Sequence, residues 1–179
     1  MQLTFRGKSG KEHSIGLRDA RLARVVKACQ ELPGQRLFQY LDDEGEAQHI
    51  DSDDINGYLR EIMGEEFSAK DFRTWAGTVL AARAFQALGT GNATPRSVTK
   101  AVEEVARELG NTVAVCRRCY IHPEIMNSYL DGSLALEMAR EASAKLDSGR
   151  GLRADEKRVL AVLRRRLARD NRRAASRAA

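Results

Sequence analysis

The amino-acid sequence predicts a mainly α-helical protein with a small antiparallel β-hairpin at its N-terminal edge. Three observations carry that prediction. Apolar residues recur at three- and four-residue spacing through most of the chain after Leu22. Helix start and stop residues bracket these stretches, as where Thr94-Pro95 precedes one and Gly110 follows it. Near the N-terminus, by contrast, two short runs with strand-forming residues flank a glycine-containing turn.

Taken in order, Leu3-Thr4-Phe5 and Ser14-Ile15-Gly16 are the two arms of the hairpin, and Arg6-Gly7-Lys8-Ser9-Gly10-Lys11 is its turn, with Lys8 near the tip. From Leu17 the spacing of Leu22, Val25, Val26 and Cys29 is helical, and Pro33-Gly34 ends it. Arg36-Leu37-Phe38-Gln39-Tyr40 is short and apolar and is followed by turn-forming Asp42-Asp43-Glu44-Gly45, so a small strand or irregular link is expected. Asp51 or Ser52 can cap a helix carrying Ile55, Tyr58, Leu59 and Ile62, which Gly64 terminates. Ser68-Ala69-Lys70-Asp71 resembles a capping box and opens a long helix through Trp75, Val79, Leu80 and Phe85 toward Gly89. Lys70 and Arg73 then share one face of its first turn. After Thr94-Pro95 a helix runs through Val98, Val102, Val105 and Leu109 to Gly110. Further helices are expected at 111–118, 122–130, 133–147 and 153–171, with a frayed Arg/Ala end from about Asp170.

With 179 residues, 42% hydrophobic and 31% charged, the chain has the composition of a globular domain with a real core. No run approaches the roughly 18 apolar residues of a membrane span, and no secretory leader is legible, so a cytoplasmic location and no membrane partner are expected. The three cysteines are odd in number and unlike a disulfide framework. Cys116-x-x-Cys119 has redox or zinc spacing, but no second pair completes a four-ligand site, and no metal is expected. The net charge of +5 is unevenly spread. Residues 150–179 hold eleven Arg and Lys against three Asp and Glu, which leaves residues 1–149 with nineteen against twenty-two. A basic segment of this kind attracts phosphates or forms a solvated helical face. A body that binds nucleic acid must therefore do so through a local patch of cations.

One segment points to chemistry. In Gly110-Asn111-Thr112 … Arg117-Arg118-Cys119-Tyr120-Ile121-His122-Pro123 an amide side chain lies nine positions before a tyrosine that closely follows two arginines. A phenol has an ordinary pKa of about 10, so its attack on phosphorus requires fixed cations and hydrogen-bond donors around the phosphate.

Four blocks in order then resemble one family. Phe5-Arg6-Gly7-Lys8-Ser9-Gly10-Lys11, Leu32-Pro33-Gly34-Gln35 with Leu37-Phe38-Gln39-Tyr40, Ala69-Lys70-Asp71-Phe72-Arg73-Thr74-Trp75, and Gly110-Asn111-Thr112 … Tyr120-Ile121-His122-Pro123 together resemble the catalytic domain of type IB DNA topoisomerases, in their bacterial and poxvirus-like form. The resemblance runs from about residue 3 to at least residue 145. It implies the catalytic-domain fold that these enzymes share with tyrosine recombinases, over residues 1–149, with 150–179 as a basic C-terminal helix and frayed tail. It also implies relaxation of supercoiled double-stranded DNA by a monomer through a 3′-phosphotyrosyl intermediate, with neither metal nor ATP, and hence association with the nucleoid.

By the same resemblance Tyr120 is the nucleophile and Arg73 the bidentate donor to the phosphorane oxygens. Asn111 stands where poxvirus and eukaryotic relatives use histidine and bacterial ones often use asparagine. Lys8 matches the minor-groove lysine that protonates the departing 5′-oxygen, and Lys70 a second lysine assisting that transfer. Lys11, Arg117 and Arg118 are candidate DNA contacts. His122 is expected to cap the next helix, and Trp75 to lie in the core.

The family's second catalytic arginine and its N-terminal clamp domain precede the lysine hairpin, where this sequence has only Met1-Gln2, so impaired cleavage and weaker binding are expected of the chain alone. Two other kinds of protein share part of this pattern. A tyrosine recombinase or integrase typically has His-x-x-Arg where this sequence has Lys70-Asp71-Phe72-Arg73, and a non-catalytic DNA-binding module would need only the cations.

Overall fold

The protein is described by a computed structural model, which covers residues 1–7, 10, 12–16, 18–34, 36–89, 91, 93–142 and 151–178. The chain divides into two compact units, Met1–Ala69 and Lys70–Ala179.

The first unit opens with β1 (Gln2–Arg6) and β2 (Glu12–Gly16), paired antiparallel with Leu3 opposite Ile15 and Phe5 opposite His13. The Phe5 and His13 rings stack at 5.4 Å between centroids, a cross-strand pair that fixes the register. The turn residues Lys8 and Lys11 lie outside the described residues. Helix α1 (Ala20–Gln30) starts three residues later than the apolar spacing suggests, because the Asp19 carboxylate accepts from the N–H groups of Arg21 and Leu22. A second antiparallel pair follows, β3 (Gln39–Leu41) with β4 (Ala47–His49). Of the small strand or irregular link expected here the structure has the strand, β3, and pairs it in a hairpin. Its returning strand, Ala47-Gln48-His49, is exposed throughout and has no apolar alternation to mark it. Gln39 is buried, and its Nε2 donates to the Pro33 carbonyl at 2.7 Å, tying the Pro33-Gly34 turn to β3. Helix α2 (Ser52–Met63) opens with a reciprocal capping box between Asp51 and Asp54.

The second unit is all helical: α3 (Ala69–Leu88), α4 (Pro95–Leu109), a short α5 (Val113–Val115) running into one π-helical turn (Cys116–Tyr120), α6 (Pro123–Leu130), α7 (Ser133–Ala142) and α8 (Ala154–Ala178). Residues 143–147, which the sequence assigns to the seventh helix, lie outside the described residues.

One core gathers side chains from every long helix of this unit. Ala81, Ala82 and Phe85 of α3 meet Val98, Ala101, Val102 and Val105 of α4, then Ile125 and Tyr129 of α6 and Met138 of α7. Val159, Val162 and Leu163 of α8 complete it. The Phe85 and Tyr129 rings stack at 4.5 Å and 16°, and the Tyr129 hydroxyl lies 3.2 Å from Ser97 Oγ, so the phenol is buried without losing its polar partner. The basic C-terminal segment therefore contributes to the core. It is also helical through Ala178, beyond Asp170, where fraying was expected, since alanine and arginine are both strong helix formers.

Candidate active site

Three elements of the second unit assemble the site. The first turn of α3 presents Lys70 and Arg73, both exposed. Thr74, Gly77 and Thr78 follow along the same stripe, three and four residues apart, and are half-buried or buried.

Helix α4 supplies the second wall through the way it ends. Gly110 has φ 66° and ψ 32°, a left-handed conformation that glycine adopts without a Cβ clash, and the chain turns there. The Asn111 N–H closes the turn on the Ala106 carbonyl at 2.9 Å, fixing where the Asn111 side chain begins. Asn111 Nδ2 donates to the Leu109 carbonyl at 2.9 Å, and Arg73 Nη2 donates to that same carbonyl at 2.7 Å. One orphan carbonyl at a helix C-terminus thus gathers a guanidinium from 36 residues away and an amide from two residues away. The negative end of the helix dipole favours the cation there.

The third element carries Tyr120. Thr112 caps the start of α5 by accepting from Val115 N–H, and the chain then widens into the π turn whose last residue is Tyr120. Ile121 is extended, with φ −120° and ψ 123°, which ends the helix directly after the tyrosine. The Arg73 Cζ sits 5.5 Å from the Tyr120 ring centroid, within cation–π range. Only one of the five guanidinium N–H donors is needed for the Leu109 carbonyl, so the remaining ones are available to an anion beside the phenol.

The backbone of the tyrosine segment lies directly against α3. Thr74 Oγ1 is 3.3 Å from the Cys119 carbonyl, and the His122 N–H donates to Thr78 Oγ1 at 3.1 Å. An added Cβ on Gly77 would stand 2.5 Å from the Tyr120 carbonyl oxygen and 3.2 Å from Tyr120 Cβ. Burial pushes the Cys116 thiol above its ordinary range, with the Arg73 charge opposing that shift, so Cys116 is a packed apolar residue rather than a thiolate. Among the described residues no group of three or more His, Cys, Asp and Glu side chains is placed to hold a metal ion.

The sequence that carries Arg73, Asn111 and Tyr120 is similar to known proteins. A family model for the catalytic core of eukaryotic DNA topoisomerase I matches residues 1–146. The DNA topoisomerase 1B of Acanthamoeba polyphaga mimivirus is 32% identical over 130 residues. The chain belongs to the type IB DNA topoisomerase family. That match covers 66% of this chain and 38% of the length of the viral topoisomerase.

Within this chain the expected residues fall into three groups. Arg73 and Asn111 share the Leu109 carbonyl, and the Arg73 guanidinium also lies over the Tyr120 ring. Lys70 lies one helical turn before Arg73, and Arg117 and Arg118 are exposed in the π turn that leads to the tyrosine. Lys8 and Lys11 lie outside the described residues. His122 is the cap of α6, its Nδ1 accepting from Glu124 N–H at 3.2 Å. Trp75 is partly buried against the core and donates its indole N–H to Glu156 Oε1 at 3.2 Å. Sequence reasoning missed Thr74, Gly77 and Thr78. Their signal is weak, since small residues at i, i+3 and i+4 let another backbone approach closely but α3 also carries Ala69, Ala76, Ala81, Ala82, Ala84 and Ala87.

Proposed function

We propose that the chain carries the transesterification chemistry of a type IB DNA topoisomerase. Tyr120 Oη attacks a phosphodiester of duplex DNA, a 3′-phosphotyrosyl bond forms as the bond to the 5′-oxygen breaks, and the departing oxygen takes a proton. The same steps in reverse reseal the strand after it has swivelled, relaxing supercoils. The phosphotyrosyl bond conserves the energy of the diester, so the cycle uses neither a metal nor ATP.

The observation that carries this reading is the Arg73 guanidinium held over the Tyr120 ring by a backbone carbonyl that also holds Asn111. Arg73 stabilises the charge that develops on the non-bridging oxygens, and Asn111 adds a neutral donor that does not titrate. The amide at this position also supports reading the chain as a bacterial-type member. Lys8 is proposed as the general acid for the 5′-oxygen, with Lys70 assisting, and Lys11, Arg117 and Arg118 as DNA contacts. Tyr120, Arg73 and Asn111 come from one chain, which supports action as a monomer on DNA; a cytoplasmic location, associated with the nucleoid, is part of the same proposal.

The test is a duplex with a 5′-bridging phosphorothiolate, whose leaving group needs no proton. The chain should form a covalent adduct that disappears in Tyr120→Phe. Lys8→Ala should impair cleavage of ordinary DNA far more than cleavage of the phosphorothiolate, and equal losses on both would remove Lys8 from the general-acid role. No adduct at any concentration would leave a DNA-binding module only. Strand exchange in place of sequence-tolerant plasmid relaxation would indicate a recombinase.

A further inference from the structure

We infer that Gly77 and Thr78 are positioning residues that set where Tyr120 stands relative to Arg73. The inference rests on the reading of Tyr120 as the nucleophile and assigns that site two further determinants on α3.

Glycine in a helix interior costs about 1 kcal/mol relative to alanine, so Gly77, buried in the middle of α3, needs a compensating reason. Its surroundings supply one. The nearest atoms to an added Cβ are the Tyr120 carbonyl oxygen at 2.5 Å, the Leu109 Cδ1 at 3.2 Å and the Tyr120 Cβ at 3.2 Å. The first is backbone, which cannot swing aside as a side-chain tip can. Any side chain at 77 therefore displaces the tyrosine backbone or α3 itself.

Thr78 holds the same segment from the next position. Its side chain is buried, its hydroxyl donates to the Thr74 carbonyl at 2.8 Å, and it accepts the His122 N–H at 3.1 Å. The Tyr120 carbonyl oxygen lies 3.5 Å from the same hydroxyl. One turn earlier the Thr74 hydroxyl approaches the Cys119 carbonyl. These carbonyls end the π turn and have no helical N–H beyond them to accept from, because Ile121 is extended. The Thr78 proton goes to the Thr74 carbonyl and the shorter Thr74 contact is to the Lys70 carbonyl at 3.0 Å, so the bond that ties the segment to α3 is the one from the His122 N–H to Thr78 Oγ1.

The geometry has a direct consequence for catalysis. Arg73 is four residues before Gly77 on one helix, so a single rigid element carries the guanidinium and the surface against which the tyrosine backbone rests. The distance between nucleophile and activating cation is then set by contact with α3. A displacement of about 1 Å at the reacting atom costs on the order of 100-fold in rate.

The experiment uses the full chain and measures three quantities for each variant: single-turnover adduct formation on the phosphorothiolate duplex, equilibrium affinity for an uncleavable duplex, and hydrogen exchange at the His122 amide. Gly77→Ala is expected to slow adduct formation by about 100-fold with duplex affinity unchanged. Thr78→Val, which keeps the shape and removes the hydroxyl, is expected to slow it by about tenfold and to speed exchange at His122. Thr78→Ser should restore both. The Val and Ser pair decides the matter if Gly77→Ala does not fold. Adduct rates equal to wild type in Gly77→Ala and Thr78→Val, with Tyr120 still required, would overturn the positioning role and leave the proposed function standing. A wild-type chain that forms no Tyr120-dependent adduct would overturn the functional reading, and the positioning role of both residues with it.

Discussion

Arg73 acts at two scales at once, since its guanidinium packs over the Tyr120 ring while donating to the Leu109 carbonyl. Arg73→Ala should therefore lower the adduct rate by about 100- to 1,000-fold, as for loss of a single oxyanion donor. Arg73→Lys should recover little of it, because an ammonium cannot both grip the carbonyl and present a flat pair of donors to phosphate. A lysine variant with near-wild-type single-turnover cleavage would refute the bidentate role. The cysteines give a second residue-level expectation. Cys116 is fully buried and its thiol is pushed up by burial, whereas Cys29 and Cys119 are partly accessible. Alkylation of the native protein at mildly alkaline pH, read by peptide mass, should label Cys29 and Cys119 well before Cys116. Labelling of Cys116 first would contradict that packing. At this scale the motif contexts single out Tyr120, Arg73 and Asn111 as candidates. The sequence could not reveal the Leu109 carbonyl that Arg73 and Asn111 share, because a backbone acceptor carries no residue signature.

Helix ends were the most legible elements, and for a physical reason: a cap acts through its own side chain on neighbours two or three residues away. Thr94 accepts from Ser97 N–H at 3.2 Å while Ser97 Oγ accepts from Thr94 N–H at 2.9 Å, as the Thr-Pro pattern suggests. Thr94→Ala should cost about 1 kcal/mol of stability by urea denaturation, and an unchanged midpoint would show the cap to be idle. Gly110 is a stronger case, since a Cβ in its left-handed conformation costs roughly 1–2 kcal/mol and the turn it makes also places Asn111. The π turn at Cys116–Tyr120 was not legible. The same residues would form an ordinary α-turn in isolation, and the wider ladder belongs to a segment whose end is held on Thr74, Gly77 and Thr78 of a distant helix. The returning strand β4 escaped notice for the related reason that it buries no face.

At the scale of the whole molecule, the sharp change in charge at residue 150 marks a change of surface rather than the edge of the core. Arginines of α8 are turned inward onto acids of the preceding helices. Arg166 bonds Asp131, Ser133 Oγ at 2.9 Å and Ser128 Oγ at 2.9 Å, while Arg165 and Arg169 flank the buried Glu137 carboxylate at 3.7 and 3.3 Å. Burial tends to raise the Asp131 carboxyl, but hydrogen bonds from Arg166 and Ser133 outweigh it and hold it below the ordinary carboxylate range. A depressed carboxylate contributes stability that is present above its unfolded value of about 4 and is lost as pH falls through the folded one. Asp131→Asn should thus lower the thermal midpoint at neutral pH and converge with wild type in strong acid. A sterner test removes the helix. A chain ending at Gly151 loses Val159, Val162 and Leu163 from the core, about 5–8 kcal/mol at the usual value per buried side chain. It also leaves Glu137 buried without its arginines and Trp75 without Glu156. That loss rivals the roughly 5–15 kcal/mol that holds a domain together. Urea titration followed by Trp75 fluorescence should show the cooperative transition of the full chain and none in the shortened one. A shortened chain that unfolds sharply at the same midpoint would mean that α8 is an ornament on a core complete without it.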